Sequence, residues 1–167
     1  MGHEEHEILA RASLRVAVIT FTDTRDQNTD KSGSIIIDLL KKSGHQMVDY
    51  RIIKENPDEM KAGFAELLAQ AQIQAIICNG GTGLSRRDNT IEIVRPLFDK
   101  EIEGFGEIFR LVSYQQIGAA AMLSRAAAGI NSGRVIVCLP GSSAAVRLAM
   151  TRIVLPQLAH MHWEASR

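Results

Sequence analysis

Residues 79–90 read NGGTGLSRRDNT: three glycines and a threonine, then two arginines and an aspartate. Glycine has no Cβ, so the backbone N–H groups around Gly80, Gly81, Thr82 and Gly83 can come close to a phosphate or carboxylate. Arg86 and Arg87 add cationic donors suited to bidentate phosphate contacts. Asp88 adds a carboxylate, and anion-binding backbone beside a carboxylate is the combination that holds a nucleotide phosphate with its Mg²⁺. The stretch lacks the G-K-[ST] ending of a Walker loop and the spacing of a dinucleotide fingerprint, which excludes a routine ATPase or dehydrogenase loop. A plainer account uses the same residues: GGTG as a tight turn, with Asn89 and Thr90 as caps of a helix beginning IEIVRPLF.

A loop of this kind works where strands end and helices begin, so the surrounding pattern decides how it is presented. The apolar run LRVAVITFT, from Leu14, has the continuous β-branched character of a strand covered on both faces. IIIDLLKKSG carries helical spacing closed by Gly44, and HQMVDYRII reads as a second strand. Asn56 and Pro57 open a second helix with acids in its first turn, and IQAIICN leads directly into the glycines. Strands alternating with helices predict right-handed βαβ units. The later residues, from Thr90 to Ile130, read as mostly helical with breaks at Pro96 and at Gly104–Gly106. Asn131–Gly133 before RVIVCLP predicts a hairpin onto the edge of a mixed sheet. The last helix is interrupted at Pro156. The expected fold is α/β, three-layered and doubly wound, with a mostly parallel sheet and one antiparallel edge. An N-terminal arm is expected over residues 1–13 and a single domain over 14–167.

Other strand ends are expected at the same sheet edge. The first supplies Thr22-Asp23-Thr24-Arg25, hydroxyls and a charge pair. The last supplies Pro140, Gly141 and Ser142, with Ser142 equally suited to capping the next helix. Phe105 is expected in the core, and Glu107 serves as a surface charge or a polar wall.

The chain of 167 residues carries 19 Lys and Arg against 19 Asp and Glu, so nothing global points to nucleic acid or a membrane surface. No run reaches the ~18 apolar residues of a membrane span, and the opening MGHEEHEILARAS lacks a signal-like stretch. Cys78 and Cys138 sit in apolar runs without a CxxC pair, as buried reduced thiols of a cytoplasmic protein do.

The ordered motifs FTDTRDQNTDKSG, NGGTGLSRRDNT, PLFDKEIEGFGEIFRLVSYQQIG, AAMLSRAAAGI and VCLPGSSAAVRLAM resemble the MoaB/MogA family of molybdenum-cofactor biosynthesis proteins, which includes the gephyrin G domain. The resemblance runs from about Val16 to Leu158, and the GEIFRLVSYQQIGAAAMLSRA wording is closer to the MoaB branch. It implies a molybdopterin-binding fold assembling into trimers or hexamers, and adenylylation of molybdopterin with ATP and Mg²⁺. By matching motif, Gly80 to Gly83 with Ser85, Arg86, Arg87 and Thr90 would cradle phosphate, and Asp88 would work with Mg²⁺. Ser124, Arg125 and Pro140 to Ser142 would line the pterin or nucleotide side, with the first-strand Thr22-Asp23-Thr24-Arg25 as another wall. One departure stands out: where active members carry a second aspartate after the second strand, this chain has Glu55, one methylene longer. Asp58 is a possible substitute that falls in the first turn of the helix. The departure opens an alternative, a molybdopterin carrier or scaffold without catalysis.

Overall fold

The structure, a computed structural model, describes residues 12–167. Residues 1–11 of the expected arm, including His3 and His6, lie outside the described residues. In chain order the elements are β1 (Arg15–Phe21), α1 (Lys31–Lys42), β2 (Gln46–Ile53), α2 (Pro57–Leu68), β3 (Ala75–Asn79), α3 (Thr90–Val94), β4 (Lys100–Glu101), α4 (Glu103–Ile117), β5 (Ala127–Asn131), β6 (Arg134–Leu139), α5 (Ser143–Ala149) and α6 (Leu155–Ser166).

The helix starts follow local chemistry. Asp30 caps α1, its side chain accepting from the Gly33 amide. Asn56 caps α2 by accepting from the Asp58 and Glu59 amides, with Pro57 at the first helical position, where its missing N–H costs nothing.

The sheet order is β2-β1-β3-β6-β5-β4. β1, β2, β3 and β6 run parallel, and β5 is antiparallel to both of its neighbours. The chain moves from β1 outward to β2, then crosses back to place β3 on the other side of β1. This reversal puts α1 and α2 on opposite faces and opens a crevice above the ends of β1 and β3. Strand alternation feeds the two faces separately. Val16, Val18, Ile77 and Val137 pack with Ile36 and Leu40 of α1, whereas Ala17, Ile19, Ile76 and Ile136 pack with Phe64 and Leu67 of α2. Burying each such large aliphatic or aromatic side chain stabilises the fold by about 1.5–3 kcal/mol. Cys78 and Cys138 are in-register neighbours on the α2 face, both free and fully buried, with their sulfurs 3.0 Å apart. Burial, and after it the neighbouring Cys78, push the Cys138 thiol well above its ordinary range.

The structure corrects the sequence reading in three places. Ala127–Asn131 is a strand, not part of a helix; the small residues fit a crowded site where the Phe98 ring lies against Gly129. Gly104 and Gly106 do not break α4 but lie within it, and Gly106 admits the close approach of Ala126 O and Arg110. At Pro156 the helix is not interrupted: a π-turn, Met150–Val154, joins α5 to α6 and absorbs the proline in the next turn. The expected hairpin joins β5 to β6 through Ser132 and Gly133, both with positive φ.

Candidate functional site

The four parallel strands end together at Phe21, Ile53, Asn79 and Leu139. Above them the loops after β1, β3 and β6 enclose a cavity of about 550 Å³. A second cleft, about 610 Å³, lies between β4, β5 and α6; it mixes charges of both signs, Lys100 and Arg167 with Asp99, Glu101 and Glu164. Only the first combines strand ends with glycine-rich backbone.

Its floor is Gly80–Gly83. Gly80 and Gly81 have φ of +91° and +61°, and a Cβ on Gly80 would lie 2.2 Å from Phe21 O, so a side chain there is sterically barred. The Gly80 amide is used, donating to Leu139 O at 3.1 Å. The amides of Gly81, Thr82 and Gly83 donate to no acceptor among the described residues. Buried N–H groups are almost always paired, so a run of unpaired ones on a cavity floor is a ready place for an anion.

Two carboxylates flank that floor. A Cβ on Gly81 would lie 3.8 Å from the Glu55 carboxyl carbon, and one on Gly83 would lie 2.8 Å from Asp88 Oδ2. Asp88 Oδ2 accepts from the Ser85 amide at 3.0 Å, which fixes its direction. Glu55 is held by its own amide donating to Asp23 Oδ1 at 3.0 Å. Burial raises the Glu55 pKa above its ordinary value; the nearby Asp23 and Asp88 charges raise it further, and Arg87 opposes them.

The sequence-predicted residues separate into two groups. Thr22, Glu55, Gly80, Gly81, Thr82, Gly83, Asp88, Ser124, Arg125, Pro140, Gly141 and Ser142 line the cavity. Asp23 does not line it and acts through the Glu55 amide. Thr90 is 0% exposed: its hydroxyl donates to Gly80 O at 2.8 Å and its amide to Gly81 O at 3.0 Å. It shapes the loop from below. Ser85, Arg86 and Arg87 are exposed and do not line the cavity, although the Arg87 charge still reaches Glu55. Glu107 is exposed on α4, away from the cavity, and Asp58 is exposed in the first turn of α2. Asn89 makes no side-chain cap; its amide group donates to Arg86 O and Arg87 O instead. With only five residues, α3 contributes little dipole, and the anion site is made by the loop amides. Ser142 both lines the cavity and caps α5, accepting from the Ala145 amide at 3.2 Å.

Arg125 is a clamp. Its Nε donates to Thr82 O at 2.8 Å, and Nη1 and Nη2 donate to the two oxygens of Glu92 at 2.6 and 2.8 Å. That pairing raises the arginine pKa and lowers that of Glu92. Thr24, Arg25 and Leu123 also line the cavity. Thr24 and Arg25 belong to the first strand end that the sequence reading expected at this edge; Leu123 was not anticipated.

Residues 8–160 match the family described as "Probable molybdopterin binding domain". The chain belongs to this family. It is 48% identical over 162 residues to molybdenum cofactor biosynthesis protein B of Halalkalibacterium halodurans, covering 96% of this chain and 95% of the relative. Against the protein of the same name from Escherichia coli K12 it is 40% identical over 144 residues, 86% of this chain and 85% of the relative. A crystal structure of a molybdenum cofactor biosynthesis protein B superposes with a TM-score of 0.90 at 43% identity, covering 93% of this chain and 97% of that one. The tungsten cofactor synthesizing protein MoaB from Pyrococcus furiosus superposes with a TM-score of 0.84 at 36% identity, covering 93% and 98%. The two solved structures thus share this chain's fold.

Proposed function

We propose that the cavity binds molybdopterin and that the chain adenylylates it with Mg²⁺–ATP in molybdenum-cofactor biosynthesis. The observation that carries this reading is the run of unpaired amides at Gly81–Gly83 between the Glu55 and Asp88 carboxylates. A volume near 550 Å³ suits a ligand of pterin or nucleotide size.

In the proposed reaction an oxygen of the molybdopterin phosphate attacks the α-phosphorus of ATP. The new O–P bond forms as the bond from that phosphorus to the pyrophosphate oxygen breaks, and pyrophosphate carries the electron pair away. The nucleophile is already an anion, so no general base is required and positioning carries the rate. The amides of Gly81–Gly83 receive phosphoryl oxygen, while Thr90 and Arg125 hold their carbonyl sides rigid.

The donor set fits Mg²⁺. Among the described residues no three acidic, His or Cys side chains form a cage, but Mg²⁺ is commonly held by one or two carboxylates plus substrate phosphates. Glu55 and Asp88 are those carboxylates; burial first, and then the Asp23 and Asp88 charges, raise the Glu55 pKa, and a cation would offset that cost. When bound, the ion supplies charge shielding for the triphosphate.

Pyrophosphate release from ATP and molybdopterin tests the reading, alongside molybdopterin binding by calorimetry. The expected result is turnover by the wild type and about tenfold or greater loss in Asp88→Asn at unchanged fold. Wild-type turnover no better than that variant's rejects catalysis. Glu55 favours a second reading, a molybdopterin carrier: its longer side chain displaces a metal-bound oxygen by ~1 Å, a shift that can cost ~10²-fold in rate. Tight binding without turnover, with turnover gained in Glu55→Asp, selects the carrier.

A further inference from the structure

The basic residues of the cavity divide by what their donors already hold. Arg125 is committed to Thr82, Glu92 and the Asp88 carbonyl, and Arg86 and Arg87 do not line the cavity. Arg25 is different. It lines the same cavity as the glycine loop, with its side chain 40% exposed. Its Nη1 donates to the Ser32 hydroxyl at 3.2 Å and to Gly141 O at 3.4 Å. Its Nε and Nη2 hydrogens meet no acceptor among the described residues.

Behind Arg25 stands a built support. The Asp30 carboxylate is fully buried, 3.9 Å from Nη1. It accepts from the Gly33 amide at 3.0 Å and from the Tyr50 hydroxyl at 2.7 Å. Burial first, and then the Asp30 carboxylate, keep Tyr50 protonated well above its ordinary range, so it remains a donor. A Cβ at Gly33 would lie 2.3 Å from Asp30 Oδ2 and 2.9 Å from both Thr20 Oγ1 and the Tyr50 oxygen. Thr20 Oγ1 in turn accepts from Asn79 Nδ2 at 2.9 Å, and Asn79 immediately precedes Gly80. Ser32 also donates to Gly141 O at 2.7 Å, tying the support to the loop after β6. A buried carboxylate kept by two donors and facing a half-exposed guanidinium fixes that guanidinium without consuming its outward N–H groups.

We propose that Arg25 is a phosphoryl-binding residue of this cavity, positioned by Asp30 and Tyr50, so that a ligand phosphate is held between its free N–H groups and the amides of Gly81–Gly83. The proposal rests on the reading of the cavity given above. The phosphoryl group belongs to the pterin or to the nucleotide; its chemistry is the same in both.

The test is anaerobic calorimetry of the wild type and Arg25→Gln with three probes: molybdopterin, dephosphorylated molybdopterin and Mg²⁺–ATP. Arg25→Gln is expected to bind at least one phosphorylated probe about tenfold or more weakly, with the dephosphorylated pterin unaffected. Which phosphorylated probe suffers identifies the source. Tyr50→Phe, which leaves the cavity wall intact, is expected to weaken the same probe by a smaller factor; circular dichroism checks that both variants fold. Unchanged affinities in Arg25→Gln, or an equal loss for the dephosphorylated pterin, overturn the role of Arg25 alone. A wild type that binds none of the probes overturns the reading of the cavity, and the proposal with it.

Discussion

Glu55 and Asp88 show how two carboxylates reach one cavity by different means. Asp88 is local to the loop, turned by the Ser85 amide, whereas Glu55 arrives from the end of β2 and is steadied by Asp23. Glu55 pays for that position in its ionised form. Its folded pKa lies above the ordinary 4.5, so its ionisation weakens the native state once pH rises through the raised value. Glu55→Gln should therefore melt higher than the wild type at neutral pH, and the gain should vanish below pH 4.5. Melting curves across pH check this, and an unchanged difference at all pH values would contradict it. Thr90 teaches the complementary lesson: a hydroxyl in a binding motif is spent on the backbone of the loop rather than on a ligand.

At the scale of elements, the cavity depends on the register of four strand ends. β1 enters the sheet beside His45, whose Nδ1 accepts from the Leu14 amide at 3.1 Å. Burial lowers the His45 pKa below its ordinary 6.5, consistent with a ring that must stay neutral to accept. The stability contributed there is complete above pH 6.5 and is lost as pH falls through the depressed folded value. Wild-type stability to urea should fall more steeply from pH 7 to pH 5 than that of His45→Asn, whose amide oxygen accepts without titrating. Parallel denaturation curves for the two proteins would remove this role. At the same end of the sheet, His162 bridges elements as well, with Nδ1 3.1 Å from Gly133 O and Nε2 3.0 Å from Gln74 Nε2.

At the scale of the whole molecule, the exposed large apolar side chains among the described residues concentrate on α4 and the turn after it. Ile108, Leu111, Tyr114 and Ile117 of α4, with Met122 and Leu123 of the following 3₁₀ turn, are exposed, Met122 by 77%. An exposed patch of this kind marks an interaction surface. We propose that these side chains meet another copy of the chain in the trimer or hexamer that the family resemblance implies; Leu123 also lines the cavity. Leu111→Glu combined with Tyr114→Glu should reduce the sedimenting mass to that of a monomer without loss of helix content. An unchanged mass would place any interface elsewhere. The neighbouring small residues Ala127 and Ala128 are buried in their own sheet, and Trp163 is covered by the Arg167 guanidinium 4.4 Å from its ring centroid. Among the described residues no helix is long and apolar enough to cross a membrane.

The sequence by itself determined the parallel strands, the hairpin, the α2 cap and the glycine loop, whereas α1 begins four residues before the Ile35 expected, at Lys31 behind the Asp30 cap. Each feature it determined is written in local patterns: β-branched runs, turn residues, and Asn just ahead of a helix. It also placed Asp88, because that carboxylate and its loop are neighbours in the chain. Only the tertiary structure decided which cations face the cavity. Arg86 and Arg87 are close to the glycines in sequence but do not line the cavity, whereas Arg25 becomes a neighbour of the glycines only because β1 and β3 lie side by side. The small-residue strand β5 was illegible for the same reason. Alanine favours helix on its own, and the space beside Phe98 and β6, set by residues distant in the chain, overrides that preference.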